Sequence, residues 1–278
     1  MFAYMRFPKG KKKALTLSYD DGVDQDIRLI RIMQEHGLKG TFNINSGLYA
    51  PEGTVYPKEQ TRGRRMSSQQ AQELYKNSGM EVAVHGLMHL DLEQLPSNLC
   101  MLDVMQDRMN LEEEYDAMIQ GMAYAYGTYN DSVVASLKQC GIVYSRTTAS
   151  TEKFTIPTDW LRLHPTCHHN NPKLMELARI FVENPVNRGP VMFYLWGHSY
   201  EFDVNDNWNV IEEFAEYMGN RDDIWYATNI EIYNYITAYK QLIFSGNGKK
   251  VYNPTNTILY FTTYSGNHYI NPGEIKCL

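Results

Sequence analysis

Two adjacent carboxylates, Asp20 and Asp21, and two imidazoles four residues apart, His85 and His89, form a set able to bind an ion and move a proton. A His-x-x-x-His pair can bring both rings to one ion where the chain turns helically. One aspartate can supply a third ligand. Three protein ligands leave a position for water, the arrangement of a catalytic zinc. The second aspartate can take a proton from that water. Adjacent carboxylates near a cation tend to have pKa values pushed apart, which suits two different roles. Each signal alone has an ordinary reading. Asp-Asp-Gly is commonly a turn or a cap, and a single histidine such as His198 is commonly a satisfied core or loop residue. Their combination, in this order, is what points to a metal hydrolase.

Strand-like and helix-like stretches alternate around these groups. Strands are predicted at 14–19, 41–45, 81–85, 122–127, 143–147, 191–198 and 224–229. Asp24 is expected to cap a first helix that closes at Gly37, and Ser67 or Ser68 a second that ends at Gly79. Further helices are predicted at about 98–120, 131–141, 173–183, 207–218 and 230–243. Such alternation implies a parallel sheet with right-handed crossovers, as a barrel or a doubly wound sheet. Parallel α/β sheets place their sites at the carboxyl ends of strands. Those ends carry Asp20 and Asp21, Asn43 and Asn45, His85, Tyr126, Arg146, His198 and Asn229. The tail from Val251 breaks the pattern and is expected to form a terminal hairpin. The boundaries expected are a barrel over 1–245 and a β extension over 246–278 packed on the same domain.

Composition narrows the function. Of 278 residues, 43% are hydrophobic and 21% charged, so a packed core is expected and a disordered or collagen-like chain excluded. The net charge of −6 argues against nucleic acid as the main partner, and no apolar run is long enough to span a membrane. The cluster Lys9, Lys11, Lys12 and Lys13 is expected to be a solvated arm. Cys100, Cys140, Cys167 and Cys277 lie far apart with no CxxC pair, which indicates neither a thiolate zinc site nor a disulfide framework. With no signal-like order of charges at the N-terminus, a cytoplasmic location is expected, or secretion if a signal was removed. The 21 tyrosines and four tryptophans could in part line a carbohydrate site.

At these residues the sequence resembles the polysaccharide deacetylase family, carbohydrate esterase family 4, which shares the nodulation-type chitooligosaccharide deacetylase domain. The family's Thr-Phe-Asp-Asp-Gly reads here Ser18-Tyr19-Asp20-Asp21-Gly22, and its His-(Ser/Thr)-x-x-His reads His85-Gly86-Leu87-Met88-His89. The resemblance implies a distorted (β/α)7 barrel, to which the tail read above adds the short hairpin extension. It implies Asp20 as general base, Asp21, His85 and His89 as metal ligands, and His198 of Leu195-Trp196-Gly197-His198 as general acid. The branch is divergent. The family's Arg-x-Pro-Tyr-Gly is Ala123-Tyr124-Ala125-Tyr126-Gly127, so the arginine that holds the base is missing; Arg146 is the candidate to replace it. The Asp-x-x-Asp-Trp motif keeps only Asp159 and Trp160.

The activity expected is removal of an acetyl group, chiefly N-acetyl, from a saccharide at a divalent metal. Zinc is expected first, with cobalt, nickel or iron fitting the same donors. Tyr126, Trp160, Asp159, Arg146 and His168 are the expected substrate-binding residues, and Tyr200 a stacking candidate. His164, His168 and His169 have no place in the family pattern; either His168 or His164 stands beside the site or the stretch is a polar loop. Two alternatives are an inactive carbohydrate-binding relative and a hydrolase of small non-sugar amides. Sequence leaves the oligomeric state open.

Overall fold

The computed structural model describes residues 3–278. Its centre is a curled parallel sheet, the distorted (β/α)7 barrel expected. The strands are β2 (Lys13–Asp20), β3 (Gly40–Ile44), β4 (Glu81–Val84), β5 (Gly121–Ala123), β6 (Tyr144–Arg146), β7 (Cys167–His168), β8 (Val191–Gly197) and β9 (Ile224–Tyr226). They run in the order β6-β5-β4-β3-β2-β8-β7, with β9 beside the first half of β2. Between β6 and β8 the chain from 163 to 168 closes the curl. Leu163 bridges Arg146 on one side, and Cys167 and His168 pair with Leu195 and Trp196 on the other.

Period-two alternation along β2 explains how the barrel divides its side chains. Leu15, Leu17 and Tyr19 join the core formed with the helices. Thr16 and Ser18 make hydrogen bonds to Asn229 and Asn43, and Asp20 ends the same row. The main helices are α1 (Asp26–Glu35), α2 (Ser68–Lys76), α3 (Ser97–Tyr115), α4 (Asp131–Gln139), α5 (Leu174–Glu183), α6 (Tyr200–Val204), α7 (Asn209–Met218) and α8 (Asn229–Lys240). Ser67 caps α2 in a reciprocal capping box with Gln70. Among the described residues no helix is long and apolar enough to cross a membrane.

Several local expectations are corrected. Asp24 does not cap α1; the residue before the helix is Gln25, and Asp24 pairs with Arg64 at 2.7 Å. Helix α3 stops at Tyr115 because Asp116 turns left-handed, with φ of 48°. The lysine cluster is not wholly a solvated arm. Lys13 is buried and its Nζ reaches Asp223 at 3.0 Å, while Lys11 Nζ donates to the Ile224 carbonyl at 2.8 Å.

The tail forms β10 (Ile243–Phe244), β11 (Lys250–Tyr252), β12 (Leu259–Thr263), β13 (Gly266–Ile270) and β14 (Ile275–Cys277). The hairpin β12-β13 also pairs with β1 (Tyr4–Arg6), which sequence periodicity missed. Phe7, Leu259, Phe261 and Ile270 share one apolar cluster with Tyr194, Tyr235 and Ile236 of the barrel and α8.

Candidate active site

The polar groups predicted at strand ends meet at one mouth of the barrel, with the exception of Asn229, which bonds Thr16, Thr41 and Tyr194 further down the strands. Asp20, the last residue of β2, is buried there. Its Oδ1 accepts from Asn43 Nδ2 at 2.8 Å, and its Oδ2 accepts from Arg146 Nη2. His85 Nε2 and His198 Nε2 each stand 3.8 Å from that same Oδ2. Burial opposes the charge of Asp20, but Arg146, His85 and His198 outweigh it and hold its pKa down at about 2.

Arg146 lies where the family pattern would not place it, and the register explains its reach. Ala123 and Arg146 are direct partners in the β5–β6 pairing. A guanidinium moved one strand sideways therefore arrives at the same carboxylate. Trp196 covers it, with the guanidinium 4.4 Å from the ring centroid.

Asp21 follows in a left-handed backbone conformation, φ 87°, rare for a residue with a Cβ. This kink aims its Oδ1 at His89 Nε2, 3.8 Å away, and at His85 Nε2, 4.0 Å away. The chain from His85 to His89 does not turn helically, contrary to expectation. It makes a tight turn through Gly86, φ 81°, and His89, φ 51°. Two aspartates of α3, not singled out from sequence, shape that turn. Asp103 accepts from the backbone N–H of Leu87 and Met88, and Asp107 from that of His85. Burial pushes Asp107 up to about 7 despite these donors. A Cβ on Gly86 would meet Asp103 Oδ2 at 2.8 Å, so glycine is needed on steric grounds too. The signal for both was their i, i+4 spacing inside the buried stripe of α3.

The donor set fits a divalent ion. One ligand-capable atom from each of Asp21, His85 and His89 lies within 4.8 Å of the others. His85 Nδ1 donates to the Ala123 carbonyl at 2.9 Å, which leaves Nε2 with the lone pair. That Nε2 is buried and has no hydrogen-bond partner. Burial keeps the ring neutral, its pKa pushed down to about 4 against the pull of Asp20 and Asp21.

A second cluster adjoins the first. Glu201 accepts from His198 Nδ1 at 2.7 Å and lies 3.5 Å from His168 Nε2 and 3.2 Å from His169 Nε2. His168, His198 and Glu201 have ligand-like spacing. However, His168 Nδ1 accepts the Asn170 backbone N–H at 3.1 Å, so its proton sits on Nε2, facing Glu201. The cluster is therefore a carboxylate ringed by imidazole N–H donors. Burial works against a charged His198, but Glu201, Asp20 and Asp21 raise its pKa above 6.5. Glu201, three residues past His198, was missed; that i, i+3 spacing was its only sequence signal.

The remaining predicted residues divide. Tyr126 is 66% exposed and sets its ring edge-on to His89, centroids 4.5 Å apart. Tyr200 lies 5.2 Å from His198. Asp159 and Trp160 are not brought to the cluster. Asp159 pairs with Arg162 at 2.7 Å, and Trp160 packs edge-on against Tyr233 of α8. His164 bonds Thr147 at 2.6 Å.

A family model described as polysaccharide deacetylase matches residues 8–145. A putative polysaccharide deacetylase from Mycobacterium smegmatis superposes with a TM-score of 0.58 at 16% identity, covering 86% of this chain and 95% of that one. A family 4 carbohydrate esterase from Streptomyces lividans, in complex with acetate, gives 0.50 at 13% identity over 75% and 88%. Residues 8–145 belong to the polysaccharide deacetylase family. Among further solved relatives is the Streptococcus pyogenes deacetylase PplD, also with acetate, at 20% identity and a TM-score of 0.44 over 53% of this chain. The match spans 62% of that deacetylase's length. No curated sequence relative matches. In this polysaccharide deacetylase domain Ala123 stands at the position where the resemblance implied an arginine, and Arg146 stands beside it on the next strand.

Proposed function

We propose that the protein hydrolyses acetyl groups on a saccharide, N-acetyl amides in the first place, at a divalent metal held by Asp21, His85 and His89. His85 Nε2 carries this reading: it is buried, unpartnered and directed at two carboxylates. Such an atom is costly to bury unless something takes its lone pair. Two histidines and one aspartate suit zinc, and cobalt, nickel or iron accept the same donors.

When bound, such an ion polarises the acyl carbonyl and acidifies water. Asp20 receives the proton of the attacking water as the water oxygen bonds to the carbonyl carbon. Arg146 keeps Asp20 ionised and fixed for that task. As the carbon–nitrogen bond breaks, His198 Nε2 gives its proton to the leaving amine, releasing acetate and a free amine. Glu201 on Nδ1 fixes the His198 ring and favours the protonated form needed there. The Tyr126 backbone N–H is the candidate oxyanion donor. Its exposed ring, with Tyr200 and His168, offers flat faces to a sugar.

The test is metal stoichiometry of the purified protein beside His85→Ala, followed by an acetate-release screen. One bound ion per chain, lost in the variant, with acetate released from acetylated sugars, is the expected result. An inactive carbohydrate-binding relative is the second reading, motivated by Ala123. A protein that binds metal and saccharide but releases no acetate would establish it. Simple amides turned over in preference to N-acetyl and O-acetyl sugars would instead point to a small-molecule hydrolase.

A further inference from the structure

We infer that Arg65 is a positioning residue of the metal site: with Asn45, its guanidinium joins the two chain segments that carry the three ligands and fixes their separation. The inference rests on Asp21, His85 and His89 being metal ligands.

Arg65 lies in the long connection between β3 and α2. There the chain runs alongside the turn after β2: Val23 bridges Arg65, and Met66 N donates to the Gly22 carbonyl at 3.1 Å. From that position Nη2 donates to Asp21 Oδ1 at 3.0 Å, and Nη1 donates to the Asp21 backbone carbonyl. The fork thus holds both side chain and main chain of a residue whose φ is 87°. A backbone conformation of this kind persists only when its surroundings fix it. Asp21 N donates to the Asn43 carbonyl at 3.0 Å, so every polar group of the ligand's backbone is committed.

Nη1 also donates to Asn45 Oδ1 at 2.9 Å. Asn45 is buried, and its Nδ2 donates to the carbonyls of His85 and Gly86 at 2.8 and 2.7 Å. One unbroken path therefore runs from the Asp21 carboxylate through Arg65 and Asn45 to the backbone of His85. A positive charge this close to a ligand oxygen opposes a dication, so charge alone gives no reason for it. Its geometry does. Only a planar fork with several fixed donors can hold these acceptors together, and a lysine cannot reproduce it.

The experiment measures the zinc dissociation constant by competition with a chromophoric chelator, for wild type, Arg65→Gln, Arg65→Lys and Arg64→Gln. Arg64 is the control, since it anchors the same loop to Asp24 and Asp203 and touches no ligand. Loss of a group that orients a ligand typically weakens metal binding by about 10–100-fold. That loss is expected in Arg65→Gln and Arg65→Lys, with Arg64→Gln staying near wild type. The metal-free melting temperatures report whether each variant folds. A variant of Arg65 that binds as tightly as wild type, or tighter, overturns the inference. So does an equal loss in Arg64→Gln, which would assign the effect to loop anchoring. A wild type that binds no dication overturns the metal reading itself, and with it this inference, whereas a failure confined to the Arg65 variants leaves that reading standing.

Discussion

Arg146 and Asp20, from strands four places apart in the sheet order, form a buried ion pair in which Nη2 donates to Oδ2. Neither strand contains the arginine that the family motif would supply. The pair shows how a parallel sheet tolerates relocation of a charge. Neighbouring strand ends in register lie about 4.8 Å apart, and an arginine side chain spans that easily.

Arg146→Ala leaves the Asp20 carboxylate buried without its main partner. Breaking a buried pair in this way typically costs about 3–5 kcal/mol. A urea midpoint should show that loss. The Asp20 pKa should also rise from about 2, so kcat/KM should fall more at pH 5 than at pH 8. Equal losses at both pH values would remove the electrostatic role.

Asp20→Asn keeps the shape of the residue and removes the base. Turnover should fall by about 10²–10⁴-fold while the metal content stays at the wild-type level. Full activity in that protein would overturn the assignment of the base.

Glu201→Gln should move the alkaline limb of the pH profile. His198 acts only when protonated, so activity is lost as the pH rises through its pKa. Glu201 helps to lift that pKa above 6.5. Removing the charge should shift the alkaline limb of kcat/KM to lower pH, with the acid limb unmoved. An unshifted limb would separate His198 from the proton delivered to the amine.

Asp26 predicts an effect on stability. Its buried carboxylate accepts from Tyr75 Oη and Ser199 Oγ, both at 2.5 Å, and burial pushes its pKa from 3.8 to about 7. The folded state then holds the proton more tightly than the unfolded one. The resulting stabilisation is complete below about pH 4 and is lost as the pH rises to about 7. Relative to Asp26→Asn, wild-type stability should decline across that window, by at most about 1.4 kcal/mol per pH unit. Parallel denaturant midpoints at pH 4.5 and 7.5 for the two proteins would rule this out.

The alternation of strands and helices, and the residues standing at most strand ends, could be read from the amino-acid order alone. Local rules suffice for both. Side-chain period, caps and turn residues mark the elements, and a parallel sheet gathers the carboxyl ends of its strands at one mouth. Asp20, Asp21, His85, His89 and His198 were legible for that reason. The terminal strand β1 was not, because three residues carry no usable period and their partner β12 lies more than 250 positions away. Asp159 and Trp160 were legible as a motif remnant, yet only tertiary packing shows that they face Arg162 and Tyr233. The same holds for the partners that orient the site. Arg146 reaches Asp20 through strand register, Asp103 and Asp107 through the placement of α3, and Arg65 through a loop with no period. Hydrogen bonds between residues distant in sequence depend on which backbones the fold lays side by side, and no local spacing records that.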